Sequence, residues 1–252
     1  MKYMLASEKL KLKRTFLIPI AYIYPIALIL LSLLVVGLQR DNLAANHNNM
    51  WESMVVVVHY LYMFTIPLAI TVVISNLINL EHQTNSWKLL YSLPINKSNY
   101  YFIKLFYILF LSSISAIIVF IGLIVIGKIL NFDGDIPFLL LLKEAFFPII
   151  GALPIITFQL WLSLKFSNQV FPIGIGVFGA VCVFFLQTNK TTSFIFWAYP
   201  AMMSPVKQII ENGSLDQIVV NNDLTLYMLL SFSFTLLFML IGLVHCTKKQ
   251  VN

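Results

Sequence analysis

Six stretches of this chain run for seventeen residues or more without a single Asp, Glu, Lys or Arg: 16–38, 54–80, 105–126, 145–164, 170–186 and 224–244. A charge at mid-bilayer is costly, and about 20 apolar residues at 1.5 Å rise cross a hydrocarbon core of roughly 30 Å. Runs of this length and composition predict membrane-spanning helices. Only 10% of the 252 residues are charged and 60% are hydrophobic, against about 25% charged in a soluble domain. The expected fold is therefore an all-α polytopic membrane protein with six transmembrane helices in one transmembrane domain, 1–252.

Charge bias sets the expected orientation. With the N-terminus in the cytoplasm, 11 of the 16 Lys and Arg residues fall inside and eight of the ten acids fall outside. This follows the positive-inside rule and puts both termini in the cytoplasm. Residues 1–15, MKYMLASEKLKLKRT, read as a basic amphipathic helix on the inner surface. The first apolar run is longer than a signal peptide core of about 7–15 residues and lacks a small-residue cleavage site, so it is expected to be retained.

Composition also excludes several function classes. The pI near 9.2 does not signal nucleic acid, because the basic residues sort by membrane side and form no stripe suited to a phosphate backbone. His47, His59, His82 and His245 are scattered, and Cys182 and Cys246 read as small buried hydrophobes, so neither a metal site nor a disulfide is expected. No catalytic residue stands out.

Two glycine patterns mimic nucleotide sites. GLIVIGKI, 122–129, matches a phosphate loop except at its last position, where Ile129 replaces the magnesium-binding hydroxyl. GIGVFG, 174–179, matches a dinucleotide fingerprint but lies inside an apolar run with no strand before it. Gly176 and Ala180 are better read as a small-x-x-x-small face for close helix approach, a candidate contact within the chain or between subunits. The chain is thus expected to bind no cofactor itself.

Prolines recur within the runs: Pro19, Pro25, Pro67, Pro148, Pro154 and Pro172. Each removes a backbone donor, and a neighbouring helix must satisfy the freed carbonyl. They read either as irregular packing or as kinks along a path that opens and closes. Phe120, Phe158, Phe171, Phe178 and Phe185 are candidates by position for an apolar translocation pathway, although a phenylalanine in such a helix is more often packing or lipid contact.

Two polar segments remain. Residues 187–223 are extracellular under this orientation, and their first half is too apolar for an open loop. Trp197 and Tyr199 suit an interface, and Pro200 and Pro205 break a helix there. The segment reads as a re-entrant or interfacial helical pair, or else as a loop on the headgroups.

Residues 81–104, EHQTNSWKLLYSLPINKSNYYFIK, lie on the cytoplasmic side. Trp87, Leu90, Tyr91 and Pro94 recur at helical spacing with Lys88 off the stripe, which predicts a short amphipathic helix stopped at Pro94. Glu81 is placed to meet that helix's positive end. Asn96 or Ser98 offers an N-cap for the third span. Such a helix either lies on the inner leaflet or docks into a groove on a soluble partner.

The order Glu81, Leu89-Leu90, Ser92-Leu93-Pro94, Lys97 and Lys104 resembles the segment between spans two and three of ABC type-2 exporter permeases. The six runs, cytoplasmic termini, basic N-terminal helix and membrane-dipping segment before the last run are similar to that family over essentially the whole chain. The resemblance implies a coupling helix at 81–104, with Glu81, Trp87, Lys88, Leu90, Tyr91, Pro94 and Lys97 docking a separate ATPase subunit that carries ATP and Mg. It implies two permease copies, identical or not, in a bacterial plasma membrane. Phenylalanine richness and Trp197–Pro200 further look like permeases of lantibiotic-immunity systems and phenol-soluble-modulin exporters, whose cargo is amphipathic peptide. Two other functions stay open. One is an ion-driven transporter or channel, against which the runs offer no carboxylate to carry a proton. The other is a non-transporting immunity protein that sequesters peptide.

Overall fold

The computed structural model describes residues 17–40, 43, 49–84, 97–186, 194–211 and 214–248. In chain order its elements are α1 (Leu17–Leu38), α2 (Met50–Gln83), α3 (Lys97–Ile129), α4 (Phe138–Gly151), α5 (Leu153–Lys165) and α6 (Val170–Leu186). A single 3-10 turn, Phe196–Ala198, then leads into α7 (Tyr199–Met202), β1 (Val206–Glu211), β2 (Ser214–Val220) and α8 (Leu224–Lys248).

Five helical stretches are long and apolar enough to cross a membrane, with α4 and α5 counted as one interrupted stretch, Phe138–Lys165. The sixth expected span, α6, has 17 residues, which at 1.5 Å each reach about 25 Å, somewhat short of a hydrocarbon core. The residues expected as an N-terminal amphipathic helix lie outside the described residues.

Three spans begin earlier than the charge-free runs. α2 starts at Met50 rather than 54, α3 at Lys97 rather than 105, and the fourth at Phe138 rather than 145. These extensions carry Lys104 and Glu144 into helices, where both are buried at 1% and 0% exposure. Glu144 was expected in an external loop; the structure corrects this. A run bounded by its nearest charge underestimates a helix whenever that charge has a partner on another helix.

α2 is the centre of the bundle, with α1, α5 and α6 packed along it and α8 against α5. The core includes Met54, Tyr62, Ile74 and Ile78 of α2 with Leu123 and Ile126 of α3. Hydroxyls within the helices mostly donate one turn back, as Ser32 does to the Leu28 carbonyl and Thr71 to that of Pro67, which satisfies them without water.

Two proline breaks are closed by serines on neighbouring helices. Pro25 leaves the Ala21 carbonyl without its usual donor, and Ser115 of α3 donates to it at 3.3 Å. Pro154 does the same to Ile150, and Ser231 of α8 donates at 2.7 Å. At these two sites the prolines are packing features locked by partners.

Both nucleotide-like glycine patterns serve close packing. A Cβ on Gly122 would strike Ile29, one on Gly127 the Trp51 ring, one on Gly176 Thr71, and one on Gly179 the Trp197 indole. Gly176 thus lies close against Thr71 of α2, and Ala180 on the same helix is fully buried.

The β-hairpin was not anticipated. β1 and β2 pair antiparallel from Val206↔Val220 to Glu211↔Ser214, with an irregularity between Ile209 and Ile210.

Candidate functional sites at the two ends of the bundle

The first site lies where α2 gives way to the segment before α3. Glu81 sits in the last turn of α2 and Lys104 two turns into α3, so the two antiparallel helices bring them together. Lys104 Nζ is 2.6 Å from Glu81 Oε1, and the Tyr100 hydroxyl donates to Glu81 Oε2. Tyr100 and Lys104 are one turn apart on the same face of α3. Lys104 also lies over the Tyr100 ring, 5.6 Å from its centroid. Glu81 is only 3% exposed.

Glu81 therefore meets Lys104 and Tyr100, where the sequence placed it against the dipole of a short helix. Trp87, Lys88, Leu90, Tyr91 and Pro94 lie outside the described residues. Lys97 opens α3, and its carbonyl faces the Cys246 thiol of α8 at 3.6 Å. Tyr101, fully buried, fills the space left by Gly242 of α8. The start of α3 is thus fixed on one side by α2 and on the other by α8.

The second site lies toward the opposite end. His59 of α2 and Glu144 of α4 pair at 2.9 Å between Nδ1 and Oε1. His59 Nε2 donates to the Ala201 carbonyl at 2.7 Å, and the Ser204 hydroxyl donates to Glu144 Oε2 at 3.1 Å. Ala201 and Ser204 belong to the stretch Phe196–Val220, which we call the cap. Asn221 holds its far side, donating through Nδ2 to the carbonyls of Met202 and Ser204 at 3.1 and 2.8 Å.

The cap turns back into the bundle. A Cβ on Gly151, midway along the interrupted helix, would lie 2.7 Å from the Tyr199 carbonyl oxygen. Phe196 and Trp197 reach Phe158 of α5, each with ring centroids 5.2 Å away. Tyr199 and Pro200 are buried and Trp197 half-buried. The three aromatic and proline residues expected at an interface are therefore packed among helices.

The candidate pathway phenylalanines are not brought together. Phe158 anchors an aromatic cluster with Trp161, Phe196, Trp197 and Phe238. Phe120 is half-buried, Phe171 and Phe178 point outward at 59% and 71% exposure, and the side chain of Phe185 lies outside the described residues. An apolar cavity of about 50 Å³ does lie between α1, α2 and α3, lined in part by Tyr24, Tyr62, Ile66, Ile70, Ile108 and Ser115. None of the four phenylalanines with described side chains, Phe120, Phe158, Phe171 and Phe178, lines it.

His59 and Glu144 were missed because each looked unremarkable in sequence: a scattered histidine, and an acid at the edge of a run. The carboxylate absent from the charge-free runs is present in the helix, so that ground for setting aside ion coupling no longer holds.

Long apolar helices around a central α2, with paired charges buried between them, define a multi-pass membrane protein. A family model described as ABC-2 family transporter protein matches residues 4–183, and the chain belongs to that family. Its members are the permease components of ABC transporters, which work in the membrane with ABC ATPase subunits and are not themselves catalytic. No protein of curated function matches the chain.

Proposed function

We propose that this chain is the membrane half of an ATP-driven exporter of amphipathic peptides, used for toxin secretion or self-immunity. Two permease copies, identical or paired with a homologue, form the pathway in a bacterial plasma membrane. Each docks a separate ATPase subunit that binds ATP and Mg. The coupling segment 81–104 docks that subunit on the cytoplasmic side, α6 completes six crossings, and the cap is a re-entrant segment on the far side.

The observation that carries this reading is the buried Glu81–Lys104–Tyr100 cluster, which joins the two ends of the segment 81–104. A docking element transmits force only if both its ends are rigid. Here one end continues into the 34 residues of α2 and the other into the 33 residues of α3. An ion pair between them makes the two helices move as one lever. Glu81 and Lys104 act from beneath the docking surface, while Trp87, Leu90 and Tyr91 supply the contact.

Co-purification with a co-encoded ATPase, followed by ATP hydrolysis across a panel of amphipathic peptides, tests this. A stable complex whose hydrolysis rises with peptide supports the reading. Failure to form a complex overturns it. The buried Glu144 gives the ion-driven alternative a specific footing, so transport is also measured with ATP depleted and with an ionophore. Export that survives ATP depletion but collapses with the ionophore favours that alternative.

A further inference from the structure

We propose that His59 and Glu144 form a proton site that latches the cap onto the bundle, and that binding of a second proton releases it. The hydrogen-bond pattern determines the proton count. The Ala201 carbonyl only accepts, so His59 Nε2 must carry a hydrogen. At 2.9 Å, Nδ1 and Oε1 must then share one proton, since two facing lone pairs would repel. Whether that proton sits on nitrogen or oxygen, the pair is neutral overall and fit for a buried site.

A second proton breaks this arrangement. Glu144 Oε2 already accepts from Ser204, whose oxygen in turn accepts from the Val206 amide at 3.4 Å. Protonating Oε2 places two hydrogens between it and the Ser204 oxygen, so the Ser204 hydroxyl must rotate away and accept instead of donate, and the site is left with a net positive charge among buried groups. Both tethers reach the cap within three residues, at Ala201 and Ser204, so the pair governs its seating. Loss of the latch exposes Met203, which is fully buried between them.

The other titratable groups at this end are phenols or lie apart from the pair. Tyr62 of α2 faces Glu144 and Tyr24 of α1 lies beside Tyr62, while the cap and α8 bring Tyr199 and Tyr227, 6.4 Å apart. All are phenols, neutral at and below neutral pH. Among the described charges at this end, Lys128, Asp133 and Asp135 are exposed, Lys143 is half-buried, Glu52 accepts from Asn49, and Lys207 pairs with Asp223. The α5 charge, Lys165, lies at the opposite end of that helix.

The test uses the full-length permease in lipid nanodiscs, with Met203→Cys in a Cys182→Ala, Cys246→Ala background. The rate of maleimide labelling is normalised at each pH to the same thiol in unfolded protein. Labelling is expected to be slow at pH 8 and to rise by up to tenfold per pH unit once the second proton binds. Glu144→Gln keeps both contacts, its amide donating to His59 and its oxygen accepting from Ser204, without titrating. That variant should stay slow and flat with pH, whereas Glu144→Ala should label fast throughout. Labelling of the Glu144 form that is flat with pH, or a Glu144→Gln variant that responds as the Glu144 form does, overturns the proposal. The readout needs neither ATPase nor cargo, so it stands or falls apart from the exporter reading.

Discussion

Ser231 of α8 donates its hydroxyl to the Ile150 carbonyl, the group whose usual helical donor four residues on is missing because that residue is Pro154. In water such a carbonyl would be solvated, but inside a membrane the protein itself must supply the partner. The bond therefore both repairs the α4–α5 break and pins α8 against it.

Ser231→Ala should lower stability by about 1 kcal/mol, the usual scale for such a bond within membranes. Pro154→Ala restores a backbone donor to Ile150, so the loss on Ser231→Ala should shrink in that background. Thermal unfolding of the four forms in detergent checks the coupling. Strictly additive effects would show that Ser231 does not serve the proline break.

Two of the three glycines of the 174–179 pattern, Gly174 and Gly176, should behave oppositely. Gly174 has open space around it, whereas a Cβ on Gly176 would strike Thr71. Gly174→Ala should be neutral or slightly stabilising through helix propensity, and Gly176→Ala should cost about 1–3 kcal/mol by overpacking. Unfolding temperatures of the two variants decide between packing and a nucleotide loop, which would treat the residues alike.

Removing one partner of the Glu81–Lys104 pair leaves a buried charge, at a cost of about 3–5 kcal/mol. Glu81→Ala or Lys104→Met should thus loosen the base of the docking element and reduce ATPase capture. The double variant, with neither charge, should recover folding but not full coupling. Complex yield and peptide-stimulated hydrolysis measure the two effects separately. Wild-type coupling in the double variant would remove the lever role.

Phe158 and Phe178 offer a comparison of buried and outward-facing rings. Phe158→Ala empties the centre of an aromatic cluster and should cost about 3–5 kcal/mol, while Phe178→Ala, at 71% exposure, should change stability little. If Phe158→Ala instead left stability intact while impairing peptide export, the pathway role would be favoured over packing.

Much of this fold was legible because the membrane is a uniform solvent. Its demand for uncharged helices acts residue by residue, so the six apolar runs, the closeness at Gly176 and Ala180, and the repair of broken helices could be read along the chain. Glu81 and Lys104 both stood in the 81–104 motif, but their pairing was not legible: Lys104 sits 23 positions away and meets Glu81 only because α2 and α3 are antiparallel. His59 and Glu144, 85 positions apart, carry no local signal at all.

What the sequence determined by itself, then, is the set of segments that lipid accepts and the family to which their order belongs. Tertiary structure alone decided where Glu144 and Lys104 lie, that Trp197 and Tyr199 turn inward, and that Gly176 meets Thr71 of α2. The physical reason is that hydrophobicity is a property of each residue, whereas the tolerance of a buried charge or a missing side chain belongs to the pair that meets there.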